Sequence, residues 1–365
     1  ALAVDFAASK LRRTVLRAAA CALIDVAVFA FSVVQLFSEK YVLVATAVPL
    51  TLFAGFMLFY SLRAQFEKRW LSLFERIQAC AVLLVGYLAA VLMTRQTVGT
   101  PVTVLGVASV VMGAIAYAVA YFLFVVPGKN RVEAWFDTSY ALVGLLTGSW
   151  LILEEPGFAW AGIGVLFAML GTRDRHAALP LHAAVCALAA ALGSGLAAAV
   201  VDAFWGDPRK GLRPLDVPCL TAWAVALIAY LAPLDPSRAR ATAAAAAGKT
   251  LALALAGGGA GALAVSQLIS PVAGSGLRTD LGWSSALRTS ILAASAVGLA
   301  AASRVARFRQ AKYLVYPVLG VGALKLLLQD FPNGRALTLF VAFVLIGAAS
   351  VAAPRIRHKE ASRTA

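Results

Sequence analysis

Five ionisable side chains lie within or at the ends of otherwise apolar segments, where a charge is costly and therefore informative. They are Asp25, His182, Lys325, Asp330 and Arg335. A charged side chain at mid-bilayer costs about 2.5 to 3.5 kcal/mol on insertion scales, so such a residue usually has either a partner or a function. These five residues are the candidate functional polar residues of the chain.

Asp25 lies almost midway along the first apolar segment and is the most costly of the five. Two interpretations of this carboxyl group are open. As a functional group it would couple proton or ion movement to transport; as a structural group it would be neutral or hydrogen-bonded and would lock one helix pair. The sequence shows no obvious arginine or second carboxylate at the same depth, which favours the structural interpretation.

The last two apolar segments carry three of the five residues. Lys325 and Asp330 lie five residues apart near the end of the eleventh segment, and Arg335 opens the twelfth. Lys325 can extend to the membrane interface or pair with Asp330. We therefore predict a charge cluster that closes the final hairpin, with an anion or lipid-headgroup site as the alternative.

His182 is a lone histidine inside an apolar segment. Such a residue is typical of a hydrogen bond between packed helices.

The residues give no pattern for an enzyme, a metal or a cofactor. Gly248-Lys249-Thr250 ends like a phosphate loop, but Ala243 replaces the required first glycine and an alanine-rich stretch replaces the strand. The four cysteines have no paired spacing, and three histidines are too few to ligate several haems. We expect no cofactor and no metal.

The elements that position these residues are apolar runs of about 15 to 26 residues separated by short charged breaks. With 61% hydrophobic residues, 13% charged residues and a mean hydropathy of +0.84, the chain lies outside the range of soluble domains. Runs of this length match the hydrocarbon thickness of a bilayer. We predict an all-α, polytopic integral membrane helix bundle with about twelve transmembrane helices.

The twelve predicted spans lie near residues 14–37, 41–62, 77–94, 102–127, 135–153, 157–171, 177–202, 217–234, 245–270, 284–303, 313–329 and 336–353. The sixth, 157–171, has only about 22 Å of helical rise, so it is expected to cross a thinned bilayer, to be re-entrant or to cross without tilt.

The distribution of basic residues predicts the topology. Of the 32 Lys and Arg residues, about 23 fall on the side of the N-terminus and about 8 on the other side when the breaks are assigned alternately. Both termini should therefore be cytoplasmic, as in a multi-pass protein of a bacterial inner membrane. The net charge of +15 is explained by anionic lipids at the cytoplasmic face, and no nucleic-acid partner is expected.

The composition changes along what we predict to be a single transmembrane domain, residues 1–365. Residues 1–171 hold 14 of the 19 Phe residues, whereas residues 172–365 are rich in Ala and Gly. Gly257-x-x-x-Gly261 and Gly193-Ser194-Gly195 are spacings that let helix backbones approach closely. The second half should therefore pack tightly.

The segment Lys325-Leu-Leu-Leu-Gln-Asp330, followed by Arg335 and an apolar helix with Phe343 and Gly347, resembles a known family. It is similar to the C-terminal hairpin of the bacterial membrane proteins called the domain-of-unknown-function 2339 family, over Lys312 to Pro354. The resemblance implies a polytopic membrane protein in which Lys325, Asp330 and Arg335 are recurrent polar positions, and it brings no established activity. Because the chain starts at Ala1 without Met, we expect a further N-terminal region, as in longer relatives.

Three functional classes follow from these observations. The first is a non-catalytic integral membrane subunit or scaffold of a larger membrane assembly, because the spans are nearly all apolar and the loops are short. The alternative is a secondary transporter or flippase for an apolar or lipid-like solute, which about twelve helices and Asp25 favour. The third is an intramembrane enzyme acting on a lipid-linked substrate, although no acid and base pair is visible on facing helices.

Overall fold

The computed structural model is all-helical, with no strand in the residues that it describes. These are residues 14–38, 46–56, 73–95, 100–122, 131–174, 178–206, 212–232, 243–274 and 281–361. Within them, five helices are long and apolar enough to cross a membrane, or up to seven if each of two bent helix pairs is one span. The five are Phe74–Arg95, Pro101–Ala120, Ala245–Ile269, Gly282–Ala302 and Ala336–Ile356. These helices indicate a membrane protein.

The chain divides into two compact units, Ala1–Glu154 and Glu155–Ala365. The first unit contains α1 (Thr14–Ser38), α2 (Thr46–Phe56), α3, α4 (Thr100–Ala120) and α5 (Arg131–Ile152). Helix α3 is Leu73–Val82, a π-helical turn Leu83–Leu88, and Ala89–Arg95. Each of the first five predicted spans overlaps one of these helices, and the second, 41–62, is described only over α2.

Helices α4 and α5 pack side by side through glycines on both helices. A Cβ atom built on Gly113 would lie 2.9 Å from the Ala141 carbonyl oxygen, and one built on Gly148 would lie 2.7 Å from the Gly106 carbonyl oxygen. Side chains at these positions would force the two backbones apart. The pair is therefore held by close backbone contact, as expected for membrane helices that lack a hydrophobic driving force between them.

We expect Gly148→Ala to lower the free energy of unfolding by about 1 to 3 kcal/mol, the usual cost of overpacking a tight contact. The new methyl group would also meet the Val110 nitrogen at 2.8 Å, so neither neighbour can yield without moving backbone. Unfolding by SDS in mixed micelles, followed by circular dichroism, measures the change.

The matched control is Gly162→Ala, because a Cβ on Gly162 meets no atom within 4 Å. That variant should be neutral or more stable by up to about 1 kcal/mol, since alanine favours a helix over glycine. Equal effects of the two substitutions would show that close contact at Gly148 does not hold α4 against α5.

The second unit contains eight helices and one 3₁₀ segment in the described residues. They are α6 (Pro156–Asp174), α7 (Ala178–Gly193), α8 (Leu196–Trp205), α9 (Val217–Leu231), α10 (Ala243–Gly274), α11 (Leu281–Ala302), the 3₁₀ segment Ala306–Tyr313, α12 (Val315–Lys325, continued by a π-helical turn Leu326–Asp330 and by Phe331–Asn333) and α13 (Ala336–Ala361). Helix α6 is longer than the predicted span 157–171, and the compositional boundary at residue 171 lies inside it.

The predicted seventh span, 177–202, is not one helix. It is broken into α7 and α8, which are bent by 69°. Gly195 at the break has φ 82°, a left-handed conformation that glycine adopts without strain and that commonly ends helices. The Ser194 N–H donates to the Ala190 carbonyl oxygen and closes the last turn of α7. Gly193-Ser194-Gly195 therefore ends a helix, and it also packs closely as expected, because a Cβ built on Gly193 would lie 2.7 Å from the Trp160 ring.

Helix α10 lies at the centre of the second unit and packs on α7, α8, α9 and α11. Its contact with α8 and α11 buries Phe204, Val265 and Leu292. A second core joins α11, α12 and α13 through small residues such as Ala296, Ala300 and Ala353. Of the expected glycine pair, only Gly261 makes a close contact, against the Phe204 ring, whereas Gly257 has open space around its Cα.

Candidate functional site

An ion pair between Lys325 and Asp330 lies buried between α11 and α12 in the second unit. The Lys325 Nζ atom is 2.5 Å from Asp330 Oδ1, and the residues are 0% and 3% exposed. This is the pairing that the sequence offered as one of two possibilities for Lys325. Its partners on α11 are Ser285 and Thr289, which are buried as well.

The hydroxyl groups of α11 complete the hydrogen bonds of both charged groups. Ser285 Oγ donates to Asp330 Oδ1, and Thr289 Oγ1 donates to Asp330 Oδ2 at 2.5 Å. Lys325 Nζ donates to Ser285 Oγ and Thr289 Oγ1, each at 3.0 Å, and to the Ser285 carbonyl oxygen at 3.2 Å. Both carboxylate oxygens therefore have donors, and the ammonium group has more acceptors than protons. We call these four residues the ion-pair network.

A π-helical turn allows residues five apart to meet. On a regular α-helix, positions five apart are about 140° from each other around the axis. In the π-helical turn Leu326–Asp330, an N–H donates to the carbonyl five residues earlier, as the Phe331 N–H does to the Leu326 carbonyl. The wider turn moves Asp330 towards the face of the helix that carries Lys325. Pro332 explains the turn, because its ring lacks an N–H and clashes with the carbonyl four residues earlier.

Two polar side chains next to the network hold the end of α8. Arg288, which is 2% exposed, donates from Nη1 to the Gly206 carbonyl oxygen at 2.6 Å. Gln329 Nε2 donates to the carbonyl oxygens of Trp205 and Gly206. The last carbonyls of a helix lack partners within the helix and carry partial negative charge, so a cation there is stabilising.

Lys249 bonds to the carbonyl oxygens at the end of α9. Its Nζ atom donates to the carbonyl oxygens of Ala229, Tyr230 and Ala232 at 2.8, 2.7 and 2.5 Å. Three donors meet three acceptors, so the ammonium group is satisfied although the residue is 3% exposed. The lysine of the apparent phosphate loop in the sequence thus caps a helix.

Beside Asp330 lie, among others, Gly282, Ala286, Thr338 and Ala342. Asp330 is only 3% exposed, so its carboxylate faces protein groups.

The remaining candidate residues lie apart from the network. Arg335 is exposed at the start of α13, where its backbone N–H donates to Thr338 Oγ1 and caps the helix. His182, 2% exposed, lies on α7 with its ring 5.9 Å from the Phe167 ring of α6. Asp25 belongs to the other unit. The structure thus joins two of the five predicted residues, Lys325 and Asp330.

Asp25 on α1 accepts a hydrogen bond from Gln78 on α3. The distance from Gln78 Nε2 to Asp25 Oδ2 is 2.7 Å, whereas Asp25 Oδ1 is buried with no hydrogen-bond partner among the residues that the structure describes. One oxygen of this carboxyl group thus joins two helices, as the structural interpretation of the sequence expected.

Asp25→Asn is expected to change the free energy of unfolding by less than about 1 kcal/mol, because an amide oxygen can still accept the Gln78 proton. Asp25→Leu should cost about 1 to 3 kcal/mol, because it leaves the buried Gln78 amide without its acceptor. SDS titration of both variants tests this. A large loss with Asn would mean that the negative charge itself is needed.

Sequence reasoning missed Ser285, Arg288, Thr289 and Lys249 as partners. A signal for the first three was present: they recur at spacings of three and four residues, which places them along one face of an otherwise apolar helix. For Lys249 the signal was weaker, because its acceptors are backbone carbonyls that a sequence pattern does not reveal.

No group of three His, Cys, Asp or Glu side chains that could hold a metal ion occurs in the described parts of the chain. No family model, curated protein or solved structure matches the chain. The resemblance of residues 312–354 to the domain-of-unknown-function 2339 family therefore stays a prediction from the residues.

Proposed function

We propose that this protein is a non-catalytic integral membrane subunit or scaffold of a larger assembly in a bacterial inner membrane. The observation that carries the proposal is the ion-pair network, whose charged groups are buried and are bonded to groups of the protein itself. A transport or catalytic site needs polar groups that can reach a solute or substrate.

The other buried cations support the same role. Lys249 caps α9, and Arg288 helps to cap α8, so both are bonded to the bundle itself. Each cation joins elements that are separate in sequence, because Lys249 lies on α10 and Arg288 lies on α11. Groups used in this way fix the arrangement of helices, which is what a scaffold requires.

The proposed topology has about twelve spans with both termini in the cytoplasm. It is supported by a helix in each of the twelve predicted segments and by the bias of Lys and Arg to alternate breaks. Some of these helices are short, such as Val217–Leu231, and would cross with the help of flanking residues or a locally thinned bilayer.

Purification from native membranes in a mild detergent, followed by mass measurement, tests the scaffold role. We expect a mass well above that of one chain plus its detergent belt, with further subunits in fixed stoichiometry. Cross-linking in intact membranes before solubilisation should give the same complex and serves as the control for dissociation. A lone, stable monomer in both experiments would contradict the proposal.

A transporter or flippase for an apolar or lipid-like solute is the second candidate, favoured by the broken helix pair α7 and α8. Interrupted helices often line substrate sites in secondary transporters, and a π-helical turn lies at the ion pair. Proteoliposomes that contain the purified protein would then move labelled lipid between leaflets, and Asp330→Asn would abolish that movement. The scaffold proposal predicts no movement above protein-free liposomes.

A further inference from the structure

The 3₁₀ segment Ala306–Tyr313 connects α11 to α12 and has one face on the protein and one face exposed. Phe308 stacks on Tyr230 with ring centroids 5.9 Å apart, and Ala311, three residues on, is 1% exposed. Side chains three apart eclipse each other in a 3₁₀ helix. The segment is kinked at Phe308, whose backbone has φ −106° and ψ 19°, and both Phe308 and Ala311 pack on the bundle.

The helical part of the segment after Phe308 presents two cations. Arg309 is exposed and Lys312 is partly exposed, and a spacing of three residues places them one above the other at about 6 Å of rise. Two like charges on neighbouring side chains repel each other, and an anion between them relieves the repulsion. The Lys312 Nζ atom lies 5.0 Å from the centre of the exposed Tyr313 ring.

Two further arginines, one just before the segment and one within it, bond to carbonyl oxygens of other helices. Arg304 donates from Nε and Nη2 to the Ile356 carbonyl oxygen of α13, at 3.0 and 2.8 Å. Arg307 Nη2 donates to the Leu231 carbonyl oxygen at the end of α9, at 3.4 Å. These bonds fix the backbone that carries Arg309 and Lys312.

No acidic residue lies near Arg309 and Lys312 in the sequence. The stretch 281–329 contains no Asp or Glu, although it holds Arg304, Arg307, Arg309 and Lys312. A surface of this kind at the cytoplasmic face attracts anionic phospholipids, with about 1 kcal/mol for each basic residue near the membrane.

We propose that Arg309 and Lys312 form a binding site for the phosphate of an anionic phospholipid headgroup. The guanidinium group of Arg309 can bond two phosphate oxygens, and the ammonium group of Lys312 supplies a second charge on the same face. Tyr313 lies next to them, where an amphipathic ring settles at the interface. The site rests on the proposed topology, which places this segment at the cytoplasmic membrane surface.

The test measures lipid retention by native mass spectrometry of the full chain in a neutral detergent, with phosphatidylglycerol or phosphatidylcholine of identical acyl chains. Arg309→Gln and Lys312→Gln should each weaken phosphatidylglycerol binding about fivefold, and raised salt should weaken it further. The matched control is Arg213→Gln, which removes one exposed charge at the opposite end of α9 and should leave binding within about twofold.

Equal retention of the two lipids, or equal losses in Arg309→Gln and the control, would overturn the site. Displacement of the lipid by inorganic phosphate at millimolar concentration would also overturn it, because the surface would then be a general anion site. Specific retention together with labelling of Arg309→Cys from outside the cell would leave the headgroup site standing and refute the proposed topology.

Discussion

Replacing Lys325 by Met is expected to lower the free energy of unfolding by about 3 to 5 kcal/mol, the largest effect of any single substitution considered. The substitution removes the ammonium group from Asp330 and leaves a carboxylate that is 3% exposed with only hydroxyl donors. A buried charge without its partner costs far more than the intact pair contributes. SDS titration in mixed micelles, with circular dichroism as the readout, measures the loss.

Two further variants separate the ion pair from the size and charge of the side chain. Lys325→Met combined with Asp330→Leu removes both charges and should recover more than half of the stability lost in the single variant. Lys312→Met removes the same group from a partly exposed position and should change stability by less than about 0.5 kcal/mol. If the double variant is as unstable as Lys325→Met, the network is held by something other than the ion pair.

Lys249→Met is expected to cost about 2 to 3 kcal/mol and to loosen the end of α9 locally. It removes three charge-assisted hydrogen bonds and leaves the carbonyls of Ala229, Tyr230 and Ala232 without these donors. Hydrogen exchange should therefore speed up in the last turn of α9 more than in α13, which Lys249 does not cap.

Lys249→Gln is the graded control for this prediction. An amide can donate two hydrogen bonds without a charge, so the loss should lie between those of the wild type and the Met variant. Uniformly faster exchange throughout the second unit, with no preference for α9, would contradict a capping role for Lys249.

The positions of the helices could be predicted because membrane spans have a simple physical signature. A run that is long enough and apolar enough has few alternatives to a helix in a bilayer, since every backbone polar group must be bonded internally. The first apolar segment, 14–37, thus matches Thr14–Ser38, and 284–303 matches Leu281–Ala302 within a few residues.

The break in the seventh segment could not be predicted from apolarity, because α7 and α8 are both apolar and their sum has the length of one span. The same three residues, Gly193-Ser194-Gly195, are compatible with close packing and with a helix end. In the structure they do both: Gly193 lies against the Trp160 ring, and the left-handed conformation of Gly195, which depends on the packing of the surrounding helices, ends α7.

The sequence predicted that Lys325 and Asp330 could pair, but it did not predict how the helix brings them together. A lysine and an aspartate in one apolar hairpin indicate a pair, but five residues is the wrong spacing for one face of an α-helix. The π-helical turn before Pro332 corrects that spacing. The hydroxyl donors Ser285 and Thr289 come from another helix, and such contacts between helices are set by packing.

Labelling of single cysteines tests the central claim, that this chain crosses the membrane repeatedly with the ends of α9 on opposite sides. Arg213→Cys and Arg309→Cys lie near opposite ends of α9 and are compared in a background in which exposed Cys80 is replaced by Ser. With a maleimide that cannot cross membranes, we expect Arg213→Cys to react in intact spheroplasts and Arg309→Cys to react only after the membrane is opened. Reaction of both cysteines from the same side would contradict the account.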